Sequence, residues 1–285
     1  MELLSINLWA ETLKAVLFGV VEGVTEWLPI SSTGHMILLD EFVHLQMSDA
    51  FKEMFNVVIQ LGAILAVVVL YFPKLWPFRR GGQGKGLTRF LKMDTVMLWV
   101  KVLVAILPSA LVGIPLDDWM DAHLYNAPVV AAMLVLYGVA FIVIERTRPT
   151  HRRAHVQSVE LIDMRMALLI GLCQVLALVP GTSRSGATIL GGMLMGCSRA
   201  AAAEFSFYLA IPTMAGASLI KVLKFGLGFS GAELLVLAAG CVTAFVVSVV
   251  AIRTFIGYIK DHSFSAFGWY RFVLGAAVAE FLLLR

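Results

Sequence analysis

Charge is scarce in this chain: Asp, Glu, Lys and Arg supply 14% of its 285 residues, roughly half of what a soluble domain carries. No polar stretch is long enough to fold as a separate soluble domain, so any chemistry has to be built from apolar helices and their short connections. Cysteine is scarce too. Cys173, Cys197 and Cys241 stand apart in apolar surroundings, an odd number without a CxxC pair, which argues against a disulfide framework and against a zinc site. A phosphate-binding P-loop is also missing, because Gly84-Lys85-Gly86 lacks the earlier glycine and the Ser/Thr that should follow the lysine. The first residues lack a basic segment, and Glu11 and Lys14 interrupt the first apolar stretch, so a cleaved signal peptide is not expected.

What is plentiful is apolar surface. Hydrophobic residues make up 60% of the chain and its mean hydropathy is +0.88, the composition of an all-α polytopic membrane protein. Six stretches reach the length of about 20 residues that a membrane-spanning helix needs: 53 to 73, 93 to 113, 128 to 145, 205 to 224, 233 to 253 and 265 to 284. Basic residues bunch between them. Lys74, Arg79, Arg80, Lys85, Arg89 and Lys92 fall in one connection and Arg146, Arg148, Arg152, Arg153 and Arg165 in another, which predicts a cytoplasmic position for both. The connection from 114 to 127 carries Asp117, Asp118 and Asp121 without Lys or Arg, as expected on the outer side. Continuing the alternation puts the N-terminus outside.

Two further apolar regions, 8 to 48 and 163 to 198, are broken in the middle by Pro, Gly, Ser and Thr. They are expected to be re-entrant helical hairpins, whose irregular backbone is tolerated at membrane depth only where it is buried or lines a cavity. Pro29-Ile30-Ser31-Ser32 parallels Pro180-Gly181-Thr182-Ser183 at an offset of 180 − 29 = 151, and the same offset takes Glu53 to Glu204. One membrane domain, residues 1-285, would then consist of two repeats, about 1-148 and 149-285. Each has one hairpin and three spans, and the odd number of spans forces the second into inverted topology.

The chemistry concentrates at these two breaks. Arg184, set among Gly181, Ser183, Ser185, Gly186 and Thr188 in an apolar run, is expensive at membrane depth and calls for an anionic partner. Freed backbone N–H groups, hydroxyls and a guanidinium fork are what a phosphate needs. The first break supplies acids: Glu22 and Glu26, four residues apart, share a helix face. In low dielectric they repel unless one is protonated, one meets Arg184, or a divalent cation lies between them. Ser31, Ser32, Thr33 and His35 follow. Ser32 and His35 are three apart, so a helix starting near Ser31 places imidazole beside hydroxyl. Gln174 stands near the place of Glu22 in the second half, so the repeats have diverged into an acidic and a cationic half of one composite site. For hydroxyls alone, packing between helices is an equally good account; for two acids and an arginine it is a poor one. His44, His123, His151, His155 and His262 are assigned to loops or interfaces, and Lys101, Lys221 and Arg253 to snorkelling.

The segments Glu22-Gly23-Val24-Thr25-Glu26-Trp27-Leu28-Pro29-Ile30-Ser31-Ser32-Thr33-Gly34-His35 and Pro180-Gly181-Thr182-Ser183-Arg184-Ser185-Gly186-Ala187-Thr188 closely resemble the two signature motifs of the bacterial undecaprenyl-diphosphatase family of the bacitracin-resistance type. The resemblance extends to the span pattern, Glu204-Phe205-Ser206-Phe207 and Tyr270-Arg271-Phe272, over essentially the whole chain. It implies hydrolysis of undecaprenyl diphosphate to the monophosphate, recycling the lipid carrier of cell-wall synthesis in the bacterial inner membrane. The expected catalytic set is Glu22, Glu26, Ser32, His35 and Arg184. Ser31, Thr33, Gly181, Ser183, Ser185, Gly186 and Thr188 are expected to bind substrate, and Glu22 and Glu26 to hold Mg²⁺ or Ca²⁺. Ser32 with His35 as its base competes with water activated by His35 or a glutamate. The expected partners are a polyprenyl diphosphate and the bilayer, with no nucleic acid, and with a homodimer as the open alternative to a monomer. A transporter or flippase for a polyprenyl phosphate or other anion is the reading of a different class.

Overall fold

The computed structural model describes residues 7–79, 89–147 and 154–283. Arg80, the Gly84-Lys85-Gly86 segment, Arg148, His151, Arg152 and Arg153 lie outside them. Eleven α-helices follow one another among the described residues: α1 (Leu8–Thr25), α2 (Ser32–Asp40), α3 (Asp49–Leu70), α4 (Phe72–Leu75), α5 (Met93–His123), α6 (Ala127–Thr147), α7 (Met164–Val175), α8 (Arg184–Leu194), α9 (Arg199–Phe225), α10 (Gly231–Asp261) and α11 (Ser265–Leu283). No strand occurs among these residues, only two isolated bridges.

Short polar residues start the helices. Asn7, Ser48, Asp163, Ser198 and Ser230 each accept a hydrogen bond from a first-turn amide of α1, α3, α7, α9 and α10, satisfying donors that have no intrahelical partner. Among the described residues five helices, α3, α5, α6, α9 and α10, are long and apolar enough to cross a membrane. The sixth expected span corresponds to α11, of 19 residues. Both broken regions are helix, break, helix: α1 to α2 and α7 to α8.

One expectation about connections fails. Residues 114 to 123 are not a loop; α5 continues to His123 through Pro115, so Asp117, Asp118 and Asp121 lie in its last turns. Acids are unfavourable at that end of a helix dipole, and lysines from α9 compensate. Lys224 donates to Asp117 and Asp118, both at 2.8 Å, and Lys221 to Asp121 at 2.6 Å and to Glu53 of α3 at 2.7 Å. Lys221 therefore joins an ion-pair network between three helices instead of snorkelling. Lys101 donates to the Glu160 carbonyl.

The packing order exchanges partners between the halves of the chain. α1 lies on α10 and α7 on α5, while α3 packs on α9 and α6 on α11. The approaches are close enough to require glycine: a Cβ at Gly62 would stand 2.1 Å from the Cys241 carbonyl oxygen, and one at Gly171 2.1 Å from that of Ala105. Charged pairs cross in the same way. Glu53 near the start of α3 meets Lys221 near the end of α9, and Glu204 near the start of α9 meets Lys74 just past α3 at 2.6 Å, so the two helices are antiparallel. Glu204 also accepts from the Tyr208 hydroxyl. A buried pair, Arg199 with Glu145, is held by two bonds of 2.9 and 2.6 Å, and Glu145 also accepts from the Phe264 amide. That ties α6 to α9 and to the connection before α11.

Candidate active site

Both breaks end in the same backbone device. Ser31 (φ 75°) and Ser183 (φ 72°) are the positive-φ non-glycine residues among those described, and each caps the helix that follows, accepting from Gly34 and Gly186 amides. An L residue in that region is strained, and the same strain at both places fixes the register between the loops. The offset is 183 − 31 = 152, one more than the proline alignment gives, so Pro29 corresponds to Gly181 and Glu22 to Gln174.

The first break brings in Glu26, the residue that ends α1, and Ser32, the first residue of α2. The Ser32 hydroxyl donates to Glu26 Oε2 at 2.5 Å. The second brings in Arg184, the first residue of α8, whose Nη2 donates to Glu26 Oε1 at 2.8 Å. Its Nη1 donates to the Ser206 carbonyl at 2.6 Å and the Ser206 hydroxyl at 3.1 Å, and the Trp27 ring lies 5.9 Å from its guanidinium carbon. One of the three expected ways of relieving the Glu22 and Glu26 pair is thus realised at Glu26, and the expected composite of an acidic and a cationic half is formed. Glu22 is fully buried, and among the described residues neither of its carboxyl oxygens has a hydrogen-bond partner. Glu26 and Arg184 are the charges that act on it.

A cavity of about 170 Å³ lies between the two breaks. Of the expected residues, Glu26, Ser32, Thr33, Gly181, Ser183 and Arg184 line it. The others do not line it. Ser31 serves as a cap. Ser185 donates to the Glu26 and Leu28 carbonyls at 3.1 and 3.2 Å, binding the second break to the first. Thr188 bonds the Arg184 carbonyl and the Ser206 hydroxyl, at 2.8 and 2.7 Å, and so steadies Arg184. Gly186 gives its amide to Ser183.

The structure does not bring imidazole to the Ser32 hydroxyl. His35 Nδ1 lies 2.7 Å from the Ser31 carbonyl, which can only accept, so that nitrogen carries a proton; Nε2 lies 2.7 Å from the Tyr270 hydroxyl, and the two rings are stacked. The i, i+3 spacing puts the two residues on one face, but the Ser32 hydroxyl finds its closer acceptor in the preceding turn, at Glu26. The carboxylate thus occupies the position expected for the histidine.

Sequence reasoning gave no role to Ser206, Tyr270, Arg271, Gln60, Ser109 or Thr213. Ser206 holds Arg184. Gln60, Ser109, Thr213 and Gln174 add a polar wall to the cavity, with Gln174 donating to Ser109 at 2.8 Å. The signal for Arg271 was present, since a lone arginine inside an apolar run meets the same burial argument that singled out Arg184.

The chain is similar to known proteins over nearly its whole length. The family described as bacitracin resistance protein BacA matches residues 15–277. An undecaprenyl-diphosphatase of Enterococcus faecalis is 58% identical over 268 residues, 94% of this chain and 96% of that protein. Those of Lachnoclostridium phytofermentans and Acetivibrio thermocellus are 54% and 55% identical, each over 96% of this chain and 98% of the relative.

Proposed function

The chain belongs to the bacitracin resistance protein BacA family, and from that premise, with a carboxylate, a hydroxyl and a guanidinium converging on one cavity, we infer that it is an integral membrane phosphatase. It hydrolyses undecaprenyl diphosphate to undecaprenyl phosphate and phosphate, which recycles the lipid carrier for cell-wall synthesis and confers resistance to bacitracin. The observation that carries the reading is the chain of contacts from Ser32 through Glu26 to Arg184.

Those contacts support a serine nucleophile with Glu26 as base. The Ser32 oxygen attacks the terminal phosphorus while its proton passes to Glu26; the anhydride P–O bond breaks, and undecaprenyl phosphate leaves. Glu26 passes that proton to the departing undecaprenyl phosphate and is a carboxylate again; it then takes a proton from the water that attacks the phosphoserine and returns it to the Ser32 oxygen as phosphate departs. Arg184, clamped by Ser206 and Glu26, is aimed at charge developing on the transferring phosphoryl group, as are the open amides at the starts of α2 and α8. Water attack with Glu26 as base is the competing route, and it leaves no label on the protein.

The donor set suits a divalent cation. A magnesium site commonly uses one or two carboxylates plus substrate phosphates rather than a full protein cage. The orphaned Glu22 carboxyl is such a donor, with Glu26 beside it, and no cluster of three or more acidic, histidine or cysteine ligands occurs among the described residues. Glu22 and Glu26 would hold Mg²⁺ or Ca²⁺, which when bound neutralises diphosphate charge.

The finer architecture belongs to the same reading: six spans and two re-entrant hairpins in inverted repeats, 1–148 and 149–285, within the bacterial inner membrane, the N-terminus outside. The exchanged packing of α1 with α10 and α7 with α5, and the equivalent strained serines, support the repeat. A homodimer is the further assembly to test, by cross-linking in the membrane.

Purified protein in detergent, without any gradient, should release phosphate from undecaprenyl diphosphate; lipid movement without phosphate release would favour the flippase. Rapid quench with labelled substrate should trap phosphoserine at Ser32, whereas unlabelled protein and several per cent residual rate in Ser32→Ala would establish water attack. An impermeant thiol reagent on intact cells should modify Asp118→Cys and spare Arg80→Cys.

A further inference from the structure

Arg271 is fully buried on α11 and has no carboxylate among its hydrogen-bond partners. Its Nη1 donates to the Pro29 carbonyl at 3.1 Å; its Nη2 donates to the Gly181 carbonyl at 2.6 Å and the Thr182 carbonyl at 3.0 Å. The Tyr137 ring lies 5.5 Å from the guanidinium carbon. An isolated buried cation is costly, so its retention needs an account that a methionine could not satisfy.

The acceptors supply it. Pro29 and Gly181 are equivalent positions of the two breaks under the 152-residue offset, and both carbonyls belong to backbone that has left its helix. Such groups need donors at membrane depth. A guanidinium offers two at fixed separation on one rigid plane, and here one reaches each break. The preceding residue, Tyr270, reaches His35 of the first hairpin from the same turn of α11.

We propose that Arg271 is a positioning residue that clamps the two broken loops at a fixed separation, and so sets the distance between Ser32 and Glu26 on one side and Arg184 on the other. The inference rests on the phosphatase reading. The clamp acts from behind: Arg271 is absent from the cavity wall, and its carbonyl partners lie two or three residues before Ser32 and Arg184. A shift between the halves moves the base and nucleophile against the cation, and misplacement by about 1 Å costs on the order of 100-fold in rate.

The test compares wild type with Arg271→Lys, Arg271→Gln and Arg271→Met, each purified in detergent and normalised to folded, monodisperse protein. Lysine keeps the charge but presents a single point, so it cannot bond both loops in that geometry. We expect kcat to fall on the order of 100-fold in Arg271→Lys with KM changed less than about threefold, and no smaller fall in the other two. Any one folded variant is enough to decide. A kcat within threefold of wild type per folded molecule in Arg271→Lys, or in Arg271→Gln or Arg271→Met where only those fold, would overturn the clamp and leave Arg271 as packing alone. A rise in KM at constant kcat would also overturn it, as the sign of a direct substrate contact. Wild-type protein that releases no phosphate would instead defeat the phosphatase reading, which separates the two failures.

Discussion

The breaks at residues 26 to 31 and 176 to 183 end in the same backbone device but do not share a chemistry. Each ends in a serine with positive φ that caps a short helix, and each gives a carbonyl to Arg271. Yet one carries Glu22, Glu26 and Ser32 where the other carries Gln174, Leu178 and Arg184. The same cap thus holds opposite charge, and the site exists only because the two face each other. A symmetric pair would have put acid against acid, or arginine against arginine, across a cavity of low dielectric. Divergence at three positions converts a repeated fold into one active centre.

Removing the charge that joins the halves is the most direct way to break the comparison. Glu26→Gln leaves Arg184 without its carboxylate and Ser32 without its base. Turnover should fall by roughly 1,000-fold, since a positioned general base contributes about 10²- to 10⁴-fold in rate; phosphate release over hours of incubation measures it, and a fall below tenfold would remove Glu26 from the mechanism. Arg184→Lys comes next. It preserves charge but not the fork to Glu26 and Ser206, and should lower kcat by about 100-fold with a smaller change in KM.

Glu22→Gln sharpens the comparison instead, because it copies Gln174 into the equivalent place. If Glu22 helps hold a cation, the variant should need more Mg²⁺ or Ca²⁺ for half-maximal rate, with about a tenfold loss at saturation. An unchanged metal titration would confine Glu22 to an electrostatic role. The smallest effect belongs to Tyr270→Phe, which frees His35 Nε2 but leaves the stacked ring. A net hydrogen bond of about 1 kcal/mol predicts a fivefold loss at most, and a larger loss would place the tyrosine hydroxyl in the reaction.

The long helices were legible in sequence because apolar length is a local property: each of the six expected segments falls largely on a helix, and five of those helices are long and apolar enough to cross a membrane. The end of α5 was not, since Pro115 and three aspartates look like a loop until Lys221 and Lys224 of α9 neutralise them from about a hundred residues away. The site divides in the same way. That buried acids and Arg184 would meet followed from the cost of isolated charge, which no fold escapes. Which atom accepts the Ser32 proton did not, because helical spacing fixes a face while the turn before the helix decides the partner, and that turn delivers Glu26 rather than His35. The work of Arg271 was equally hidden: its partners are backbone carbonyls, which carry no side-chain signature.

The exchanged packing has a consequence for how the protein is made. The acid-bearing α1 is complete at residue 25, but the helix it rests on, α10, starts at residue 231. The guanidinium that neutralises Glu26 comes 158 positions after it. Until then the first repeat holds two carboxyls in an apolar surrounding with no cation to meet them, and neither half can close its own core. Biosynthesis therefore has to carry the N-terminal hairpin unfinished through most of translation, and truncation before α10 should yield a product that quality-control proteases clear.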